Sequence, residues 1–589
     1  MDGSSDQAGR RREMTEKLAR NEYLKEASRY LRGTLAEGLA NDVTGEISED
    51  DQQLVKFHGM YLQDERDLRA ERTRKKLEKA FSFMIRVRIP GGVTTPQQWL
   101  AMDEIGRIYA NGTLRLTTRE TFQFHGVIKS NAKAAIQRLD SVLLDTIAAC
   151  GDVNRNVLSA SNPHQSGTHQ AAYELAKNIS DHLLPRTGAY REIWLDGEKI
   201  AGGEETAEVI EPIYGHTYLP RKFKTVVAVP PQNDVDIYAH DLGFIAILGE
   251  DGQLQGWNVT VGGGMGMTHG NTETFPRTAN VLGFCKPDDA LKFAEAVLTT
   301  QRDWGDRTNR AHARVKYTVE TRGVDAWREE VGKRAGVPFE PARPFSFTGT
   351  GDRFGWTEGE DGRSHLTLFI QNGRIKDVPG GAQMMTGLRR IAEIHDGEFR
   401  MTSNQNVIVA NVSPEKRAQI EQLVAEHGLT SEASAIRRNA MACVALPTCG
   451  LALAESERYL PSLITLFEER LNALGLGEEE IIVRMTGCPN GCARPYLAEI
   501  GFVGTGPGRY NLYLGAAFNG ERLSKLYLKD VTEEEALEAL QPLFEDFAAN
   551  RQSGEHFSDF VIRQGYVAAT TNGPDFHVNT GPQRLAAAQ

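Results

Sequence analysis

The sequence has no segment of the kind that crosses a membrane or directs secretion. No run of about 18 apolar residues occurs in it, so a membrane-spanning helix is not expected. The N-terminal segment MDGSSDQAGRRREMTEKLAR lacks the apolar stretch of a secretory signal peptide. Only six cysteines occur in 589 residues, too few for a disulfide framework. We therefore expect a cytoplasmic protein with no membrane partner, in which grouped cysteines serve as metal ligands.

Positive charge is also scarce over the chain as a whole. The net charge of −12 argues against binding of nucleic acid by the general surface. With 40% hydrophobic and 25% charged residues, the composition is that of a globular protein, and the length predicts roughly four domains. The dinucleotide fingerprint G-x-G-x-x-G is missing too, because VGGGMGMTHG (261–270) and GTGPGR (504–509) both fail to complete it. These glycines fit turns, or backbone that leaves room for a large flat ligand.

Four of the six cysteines form two pairs near the C-terminal end. Cys443 and Cys449 are spaced C-x5-C in MACVALPTCG, and Cys488 and Cys492 are spaced C-x3-C around the turn-forming Pro-Asn-Gly. Structural zinc sites favour C-x2-C to C-x4-C spacings around one small ion, whereas a cubane cluster is larger. The apolar flank at 441–454 also suits a redox centre that is shielded from water. The pattern favours an iron–sulfur cluster, with a zinc site or buried structural thiols as alternatives. Without a nucleotide site, such a centre needs a partner protein as electron donor.

The two halves of the chain contain similar segments. LRLTTRETFQFHGV (114–127) aligns without gaps with FRMTSNQNVIVANV (399–412), so that Arg115 matches Arg400. Each segment has the composition of a strand and lies between two predicted helices, at 95–112 and 131–149 in the first copy and at 386–397 and 414–427 in the second. Such self-similarity indicates a duplication. The first copy keeps polar residues that the second has lost, namely Arg119, Gln123 and His125 against Asn404, Ile408 and Ala410.

This pattern predicts an α+β fold, with a duplicated, pseudo-twofold arrangement of ferredoxin-like half-domains plus two larger α/β domains. The expected units are an N-terminal arm at 1–56, half-domains at 57–150 and 341–428, and α/β domains at 151–340 and 429–589. Within the first half-domain, 57–80 is predicted as a long charged helix or an extended arm, and FMIRVRIPGG (83–92) as a strand.

Basic residues occur at predicted strand ends and in tight loops of the first half of the chain. Arginine binds carboxylates in a bidentate manner, and lysine is a compact charge that can donate a proton. Each alone is weak evidence, because an exposed strand easily carries an arginine. The set comprises Arg86, Arg88, Arg115, Arg119, Arg155, Arg221, Lys222 and Lys224. The Arg-rich stretch 299–318 is interpreted as a polar surface or an anion contact, and His125 as a ligand or a hydrogen-bonded core histidine.

Taken together, these motifs resemble one enzyme family. C-x5-C followed by TGCPNGC, with TFQFHG, VNRNV, LPRKFKT and VGGG upstream in that order, is similar to the siroheme- and iron–sulfur-containing sulfite and nitrite reductases. The resemblance runs from FHGMYLQDERD (57–67) to GEHFSDFVIRQG (554–565), nearly the whole chain. The first of these segments favours the hemoprotein (beta) subunits of the NADPH-dependent enzymes. Ala493-Arg494-Pro495, however, has a form also seen in ferredoxin-dependent relatives.

The resemblance implies two cofactors and a set of residues for each. The four cysteines, Cys443, Cys449, Cys488 and Cys492, would hold a [4Fe–4S] cluster, and the thiolate of Cys492 would also bind the iron of siroheme. Both larger α/β domains would bind cofactor. The residues that would line the anion pocket are Arg86, Arg155, Lys222 and Lys224. Those expected near the siroheme are Arg115, Arg119, Gln123, His125 and Arg221.

The implied activity is the six-electron reduction of sulfite to sulfide in assimilatory sulfur metabolism and cysteine biosynthesis. Electrons would come from an NADPH-oxidising flavoprotein (alpha) subunit, and the arm at 1–56 would dock it. The enzymatic alternative is a ferredoxin-dependent sulfite or nitrite reductase. Four cationic groups favour sulfite, because nitrite carries a single charge. The non-enzymatic alternative is a zinc-stabilised binding protein.

Overall fold

The computed structural model describes residues 17–161, 166–186, 192–195, 198–202, 211–359 and 361–583. Strands and α-helices are numbered below in chain order. Predicted features within 1–16, the first part of the arm, lie outside the described residues.

The first half-domain is built on a five-stranded antiparallel sheet. From one edge to the other its strands are Met60–Asp64 (β1), Phe81–Arg86 (β2), Phe122–Val127 (β5), Leu114–Leu116 (β4) and Arg374–Ile375 (β15). Its helices are Pro96–Ile108 (α5) and Lys129–Asp140 (α6). A capping box between Thr95 and Gln98, with Pro96 at the first helical position, starts α5 where the sequence pattern places it.

The second half-domain repeats this sheet. Its strands, in order, are Gly355–Glu358 (β13), Ser364–Leu368 (β14), Val407–Val412 (β17), Glu398–Met401 (β16) and Val93–Thr94 (β3), and its helices are Met384–Ile394 (α11) and Pro414–Glu426 (α12). The halves exchange edge strands, because β3 pairs with β16 and β15 pairs with β4. Trp99 of α5 also stacks on Phe399 of β16, with ring centroids 4.5 Å apart. The predicted duplication is therefore confirmed, and the two copies are interlocked.

One local prediction in the half-domains was wrong, and one of the two alternatives given for residues 57–80 is excluded. Residues 114–127 and 399–412 are hairpins (β4–β5 and β16–β17) and not single strands. The turn at 117–121 contains no glycine, and Glu120 takes the left-handed conformation there with φ of 51°. Residues 57–80 are not a long helix either. They form β1 and the short helix Arg69–Arg74 (α4), in an arm that runs along the edge of the sheet.

The two larger domains share a second architecture. The first has the strands Leu158–Ser159 (β6), Thr225–Ala228 (β9), Leu242–Leu248 (β10), Leu254–Val261 (β11) and Asn280–Cys285 (β12) in that order. The second has Ala440–Ala442 (β18), Val483–Thr486 (β19), Ile500–Gly506 (β20), Arg509–Leu514 (β21) and Lys525–Val531 (β22). In both sheets the first three strands are parallel and the last two pairings are antiparallel. The duplication thus extends to the α/β domains.

The remaining elements complete the described chain. The first α/β domain has the helices Gly167–His182 (α7), Ala290–Trp304 (α8), Val315–Arg322 (α9) and Val324–Ala335 (α10), and a hairpin of Glu192–Leu195 (β7) and Glu198–Gly202 (β8). The second has Ala435–Arg438 (α13), Leu460–Ala473 (α14), Glu533–Asn550 (α15) and Phe557–Arg563 (α16). The N-terminal helices are Arg20–Ala27 (α1), Leu35–Ala40 (α2) and Glu49–Leu54 (α3). Short 3-10 turns lie at Val55–His58, Arg66–Leu68, Pro90–Gly92, Ile237–Ala239, Pro287–Asp289, Gln371–Gly373, Pro495–Leu497 and Pro574–His577.

Three apolar clusters connect these units. The largest joins both half-domains to the first α/β sheet, and a second fills the cysteine-bearing domain. The third, which includes Ala239, Met265, Tyr496 and Phe576, joins the two α/β domains. The half-domains and the two α/β domains therefore meet in a shared interior. Among the described helices, none is both long and apolar enough to cross a membrane.

Candidate active site

The four cysteines lie in two loops at the same end of a sheet. Cys443 directly follows β18, and Cys488 and Cys492 follow β19, its parallel neighbour. The carboxyl ends of parallel strands meet at one edge, so the two loops leave the sheet side by side. The N–H of Gly487 donates to Sγ of Cys443 at 3.4 Å and links the loops directly. The predicted convergence of C-x5-C and C-x3-C therefore holds in three dimensions.

These thiols are ill suited to remain without a metal group. Burial raises the pKa of Cys443 and of Cys449, and it raises the pKa of Cys488 to about 12. In each case the neighbouring Cys492 raises the pKa further, so the four thiols lie within electrostatic reach of one another. Four thiolates gathered in an apolar loop require a cationic centre to be stable there.

The spacing of the thiols fits a cluster better than one ion. In the described part of the chain, no three His, Cys, Asp or Glu side chains are placed to hold a single metal ion. A cubane iron–sulfur cluster separates its ligands more widely than one tetrahedral zinc ion does. The residues present therefore fit the expected [4Fe–4S] cluster.

Cys492 differs from the other three because its side chain is exposed to a cavity. The cavity lies between the cysteine loop, the first hairpin turn and the first α/β domain, and its empty space, including the part open to solvent, is about 340 Å³. Its lining, as far as the described residues go, contains four cationic side chains and no carboxylate. The lining residues are Thr118, Lys222, Lys224, Ala239, His240, Met265, Gly266, Arg314, Asn490, Gly491, Cys492 and Arg494. An anionic group that also takes a thiolate ligand, as siroheme does, fits this chemistry.

The two lysines of LPRKFKT face this cavity, as the resemblance implies. Burial lowers the pKa of Lys222 to about 7, and the charges of Arg221 and Arg314 lower it further. Burial and the charge of Lys222 bring the pKa of Lys224 well below its ordinary value. The backbone N–H of Lys224 donates to Oδ2 of Asp241 at 3.0 Å, which fixes the start of β9. An anion in this cavity would restore the protonated form of both lysines.

The predicted arginines of the anion pocket, Arg86 and Arg155, do not line this cavity; Arg155 lies within electrostatic reach of Lys222, and Arg86 within reach of Cys492. Arg155 contributes to the lowered pKa of Lys222, and its Nε donates to the carbonyl of Gly151 at 2.6 Å. Arg86 interacts electrostatically with Cys492, and its Nη1 lies 3.0 Å from Sγ of Cys150. Cys150 is buried and lies against this arginine. Cys285, the other cysteine outside the two pairs, is buried at the end of β12, where burial raises the pKa of its thiol to about 12.

The residues expected near the siroheme fall into two groups. Arg119 and Arg221 are close to the lysines, and burial lowers their pKa values to about 9 and about 10. Arg119 contacts Nδ1 of His240 at 3.2 Å and donates to the carbonyl of Asn156. Arg221 interacts with Lys222, Arg310 and Asp152.

Arg115, Gln123 and His125 form the second group, a buried network of β4 and β5 that reaches Arg86 through Gln123, its partner across β2 and β5. Arg115 pairs with Glu457 at 3.2 Å and donates to the carbonyl of Ala442, next to Cys443. His125 lies 3.2 Å from Gln123 and 3.3 Å from Arg374, and burial lowers its pKa well below the ordinary value. These three residues do not line the cavity of Cys492.

Sequence reasoning missed two cations that hold this site together. Arg314 lines the cavity and pairs bidentately with Asp241, at 2.9 Å to each oxygen. Lys316 donates to the carbonyls of Gly264 and Gly266, at 3.3 and 2.6 Å, and so holds the Gly-rich loop. The only signal in the sequence was the Arg-rich stretch 299–318, which contains both.

Two glycines of the Gly-rich loop lie too close to neighbouring residues for a side chain to fit without a shift. A Cβ on Gly263 would lie 2.2 Å from the carbonyl oxygen of Tyr238, and one on Gly264 would lie 2.8 Å from the guanidinium of Arg314. The N–H of Met267 donates to the carbonyl of Pro489, and this hydrogen bond joins the Gly-rich loop to the cysteine loop. Gly266 also faces the cavity, so the loop is one of its walls.

Comparison with known families agrees with this architecture. The family model described as "Nitrite/Sulfite reductase ferredoxin-like half domain" matches twice, at 75–142 and 357–427, once on each interlocked half-domain. The model described as "Nitrite and sulphite reductase 4Fe-4S domain" matches residues 174–339. That match covers the sheet that carries Lys222 and Lys224; the cysteines lie on the second sheet, which has the same strand order.

Curated relatives match over almost the full length. A protein of Methylobacterium sp. (strain 4-46) named "Sulfite reductase [NADPH] hemoprotein beta-component" is 68% identical over 97% of this chain and 94% of its own length. A protein of Shouchella clausii with the same name is 58% identical over 94% of this chain and 97% of its own length. Among solved structures, the Mycobacterium tuberculosis NirA protein has the same fold, with a TM-score of 0.75, 24% identity, and coverage of 93% of this chain and 97% of NirA.

Proposed function

The chain belongs to the nitrite and sulphite reductase family, and on that premise we propose that it is the siroheme-carrying subunit of an NADPH-dependent sulfite reductase. It reduces sulfite, in which sulfur is S(IV), to sulfide, in which sulfur is S(−II). Six electrons are consumed, and the three oxygen atoms leave as water. Sulfide in this oxidation state is what assimilatory cysteine biosynthesis requires.

One observation carries the assignment of residues: the exposed thiol of Cys492 opens into a cavity lined by cations. We propose that Cys443, Cys449, Cys488 and Cys492 hold the [4Fe–4S] cluster and that Cys492 also binds the siroheme iron. When bound, these cofactors supply the electrons and the metal that holds sulfur. The protein supplies position and charge.

The cations have three tasks in this scheme. Arg86, Arg155, Lys222 and Lys224 attract and orient a small dianion, because fixed positive charges in a site shielded from water bind anions strongly. They also offset the negative charge that each incoming electron adds. Lys222, whose pKa lies at about 7, can hold or release a proton at neutral pH and is therefore the best placed general acid of the four.

Two measurements on the purified protein test this function. Reduced methyl viologen supplies electrons without a partner, and turnover is followed with sulfite and with nitrite. We expect kcat/KM to be higher for sulfite; a clear preference for nitrite would favour the alternative reductase. About four to five irons per chain and chlorin-type visible bands are expected, whereas a colourless protein with one zinc ion would overturn the proposal.

The electron donor is a separate proposal. We propose an NADPH-oxidising flavoprotein as donor, docked through the N-terminal arm, of which residues 17–56 are described. Deleting residues 1–16 should lower NADPH-driven turnover in the presence of the flavoprotein and leave turnover with methyl viologen unchanged. Equal loss of both activities would count against a docking role, and efficient turnover with reduced ferredoxin alone would favour the other donor.

A further inference from the structure

Three consecutive carbonyls just before the pocket lysines in the chain each accept a hydrogen bond from a different cation. Arg307 donates to the carbonyl of Tyr218 at 2.7 Å. Lys25 donates to the carbonyl of Leu219 at 2.8 Å. Arg310 donates to the carbonyl of Pro220 at 3.2 Å. The next residue is Arg221, followed by Lys222 and Lys224, so these contacts fix the backbone that carries half of the anion pocket.

Two buried carboxylates complete this arrangement. Glu22 pairs with Lys25 at 2.6 Å and also with Arg307. Asp152 pairs bidentately with Arg310, at 2.9 and 3.1 Å, and lies 3.7 Å from Lys25. We refer to Glu22, Lys25, Asp152, Arg307 and Arg310 together as the carbonyl clamp. The three cations share only two carboxylates, and the loop carbonyls accept hydrogen bonds that the carboxylates leave over.

Asp152 connects the clamp to the rest of the pocket. Its own carbonyl accepts from the N–H of Leu219 at 3.0 Å, so side chain and backbone both act on the same loop. Arg155 follows three residues later, and its N–H donates to the carbonyl of Phe223 at 2.8 Å. Backbone hydrogen bonds therefore join the segment that contains Asp152 and Arg155 to the segment that contains Lys222 and Lys224. Arg310 contacts Asp152 and the carbonyl of Pro220, and so links these two segments to the segment that continues to Arg314.

The clamp also includes the N-terminal arm. Glu22 and Lys25 lie on α1 and are 2% and 3% exposed, although α1 as a whole is a surface helix. The N–H of Ala19 donates to the carbonyl of Arg307 at 2.8 Å. The described part of the arm is thus built into the wall of the pocket.

We propose that the carbonyl clamp positions the anion-binding loop and that Asp152 is its central positioning residue. This inference rests on the proposed function, because the loop matters only if the pocket binds sulfite. Asp152 is not among the residues that line the cavity of Cys492. It acts through the loop, by holding Arg310 against Pro220 and its own backbone against Leu219.

A purely electrostatic role of Asp152 and a positioning role predict opposite changes in KM for sulfite when Asp152 is replaced by asparagine. Asp152→Asn removes a negative charge from the neighbourhood of an anion site. If only the local potential mattered, sulfite would bind more tightly and KM would fall. If Asp152 positions the loop, Arg310 loses its partner, the lysines shift, and KM rises. The sign of the change in KM therefore separates the two explanations.

The experiment measures sulfite turnover by the complete chain with both cofactors bound, with reduced methyl viologen as reductant. We expect Asp152→Asn to raise KM for sulfite about tenfold and to lower kcat as well, because the shifted Lys222 is also the proposed general acid. Asp145→Asn is the matched control, because Asp145 also pairs bidentately with an arginine, Arg88, in the same segment but does not contact the loop. Its KM should stay within about twofold of the unchanged chain. Siroheme absorption and iron content should be the same in all three proteins.

The outcomes are distinct. An unchanged or lower KM in Asp152→Asn overturns the inference, and so does an equal rise in Asp145→Asn. If Asp152→Asn does not accumulate as folded protein, Arg310→Gln carries the test, and the same rise in KM is required of it. A KM in Arg310→Lys closer to that of the unchanged chain than in Arg310→Gln would support positioning, because lysine keeps the charge and a donor to Pro220. A normal KM in Arg310→Gln would contradict it. If the unchanged chain fails to reduce sulfite, the proposed function fails, and that result is separate from the behaviour of the variants.

Discussion

Asp236 and Arg494 occupy equivalent positions in the two α/β domains and form a buried ion pair with each other. Each lies six residues before its strand, β10 or β20, takes a left-handed backbone conformation with φ of 48° or 55°, and is followed by a 3-10 turn. Arg494 also contacts the carbonyls of Thr118 and Ser403, at 3.3 and 2.9 Å, which are themselves equivalent in the half-domain repeat. The duplicated halves therefore meet at one arginine, and that arginine lines the cavity of Cys492.

Breaking this junction should destabilise the protein strongly. Asp236→Asn keeps a residue that tolerates the left-handed conformation but leaves Arg484 and Arg494 buried without their carboxylate. We expect a loss of about 3–5 kcal/mol in the free energy of unfolding, measured by guanidinium titration. Asp67→Asn, which breaks an exposed pair with Arg458, serves as control and should cost less than about 1 kcal/mol. Equal effects of the two substitutions would contradict the role given to Asp236.

A second buried carboxyl predicts how stability depends on pH. Glu499 is the equivalent of Asp241, and burial raises its pKa to about 7; its oxygens accept from the N–H groups of Ile482 and Ser558. Because the folded pKa lies above the unfolded value of 4.5, the folded state binds the proton more tightly. The stability that this carboxyl contributes is present below pH 4.5 and is lost as pH rises to about 7, by about 3 kcal/mol.

Glu499→Gln should remove that dependence. The amide keeps an acceptor oxygen but does not titrate, so unfolding midpoints measured between about pH 5 and 7 should change less in the variant than in the unchanged chain. Glu535→Gln, at an exposed helix start, is the control and should leave the slope as it is. A variant whose slope equals that of the unchanged chain would show that Glu499 is already ionised in this range.

The thiol of Cys492 should control the spectrum of the bound cofactor. In Cys492→Ser, the weaker hydroxyl ligand should shift the visible bands of siroheme and abolish sulfite turnover, because under the proposed assignment the variant would lack the sulfur that binds both cofactors. Cys285→Ser, a buried thiol at the end of β12, should leave both spectrum and turnover intact. Unchanged bands in Cys492→Ser would refute the assignment of this thiol as the siroheme ligand.

Sulfite affinity should weaken with rising pH through the titration of Lys222. Its pKa of about 7 means that the cation is present below that value and is lost above it. KM for sulfite should therefore rise above about pH 7, and Lys222→Arg should move this rise to higher pH because arginine stays protonated. Lys292→Arg, at an exposed pair with Asp289, should leave the profile unchanged. The test is a KM profile across this range; identical profiles for Lys222→Arg and the unchanged chain would exclude Lys222 as the titrating group.

The sequence by itself determined the features that depend on local spacing and periodicity. These features are the two cysteine pairs, the turn between Cys488 and Cys492, and the repeat of 114–127 in 399–412. Each could be identified because it lies within short continuous stretches of the sequence. The helices α5, α11 and α12 were found to within four residues at each end for the same reason, whereas α6 ends at Asp140, nine residues before the predicted end. The duplication followed from the repeat, and the family from the order of the motifs.

Only the tertiary structure decided which residues meet. The exchange of β3 and β15 between sheets, the contact of Thr118 with the carbonyl of Cys492 at 3.1 Å, and the pair of Asp236 with Arg494 each join residues more than 250 positions apart. No local pattern encodes such pairs, because burial and the fold as a whole set them. Arg314 and Lys316 were missed for this reason, and the separation of Arg115 and His125 from the cavity could not be read from their strands. The hairpin turn at 117–121 was missed because its residues favour extended structure, and the pairing of β4 with β5 overrides that preference.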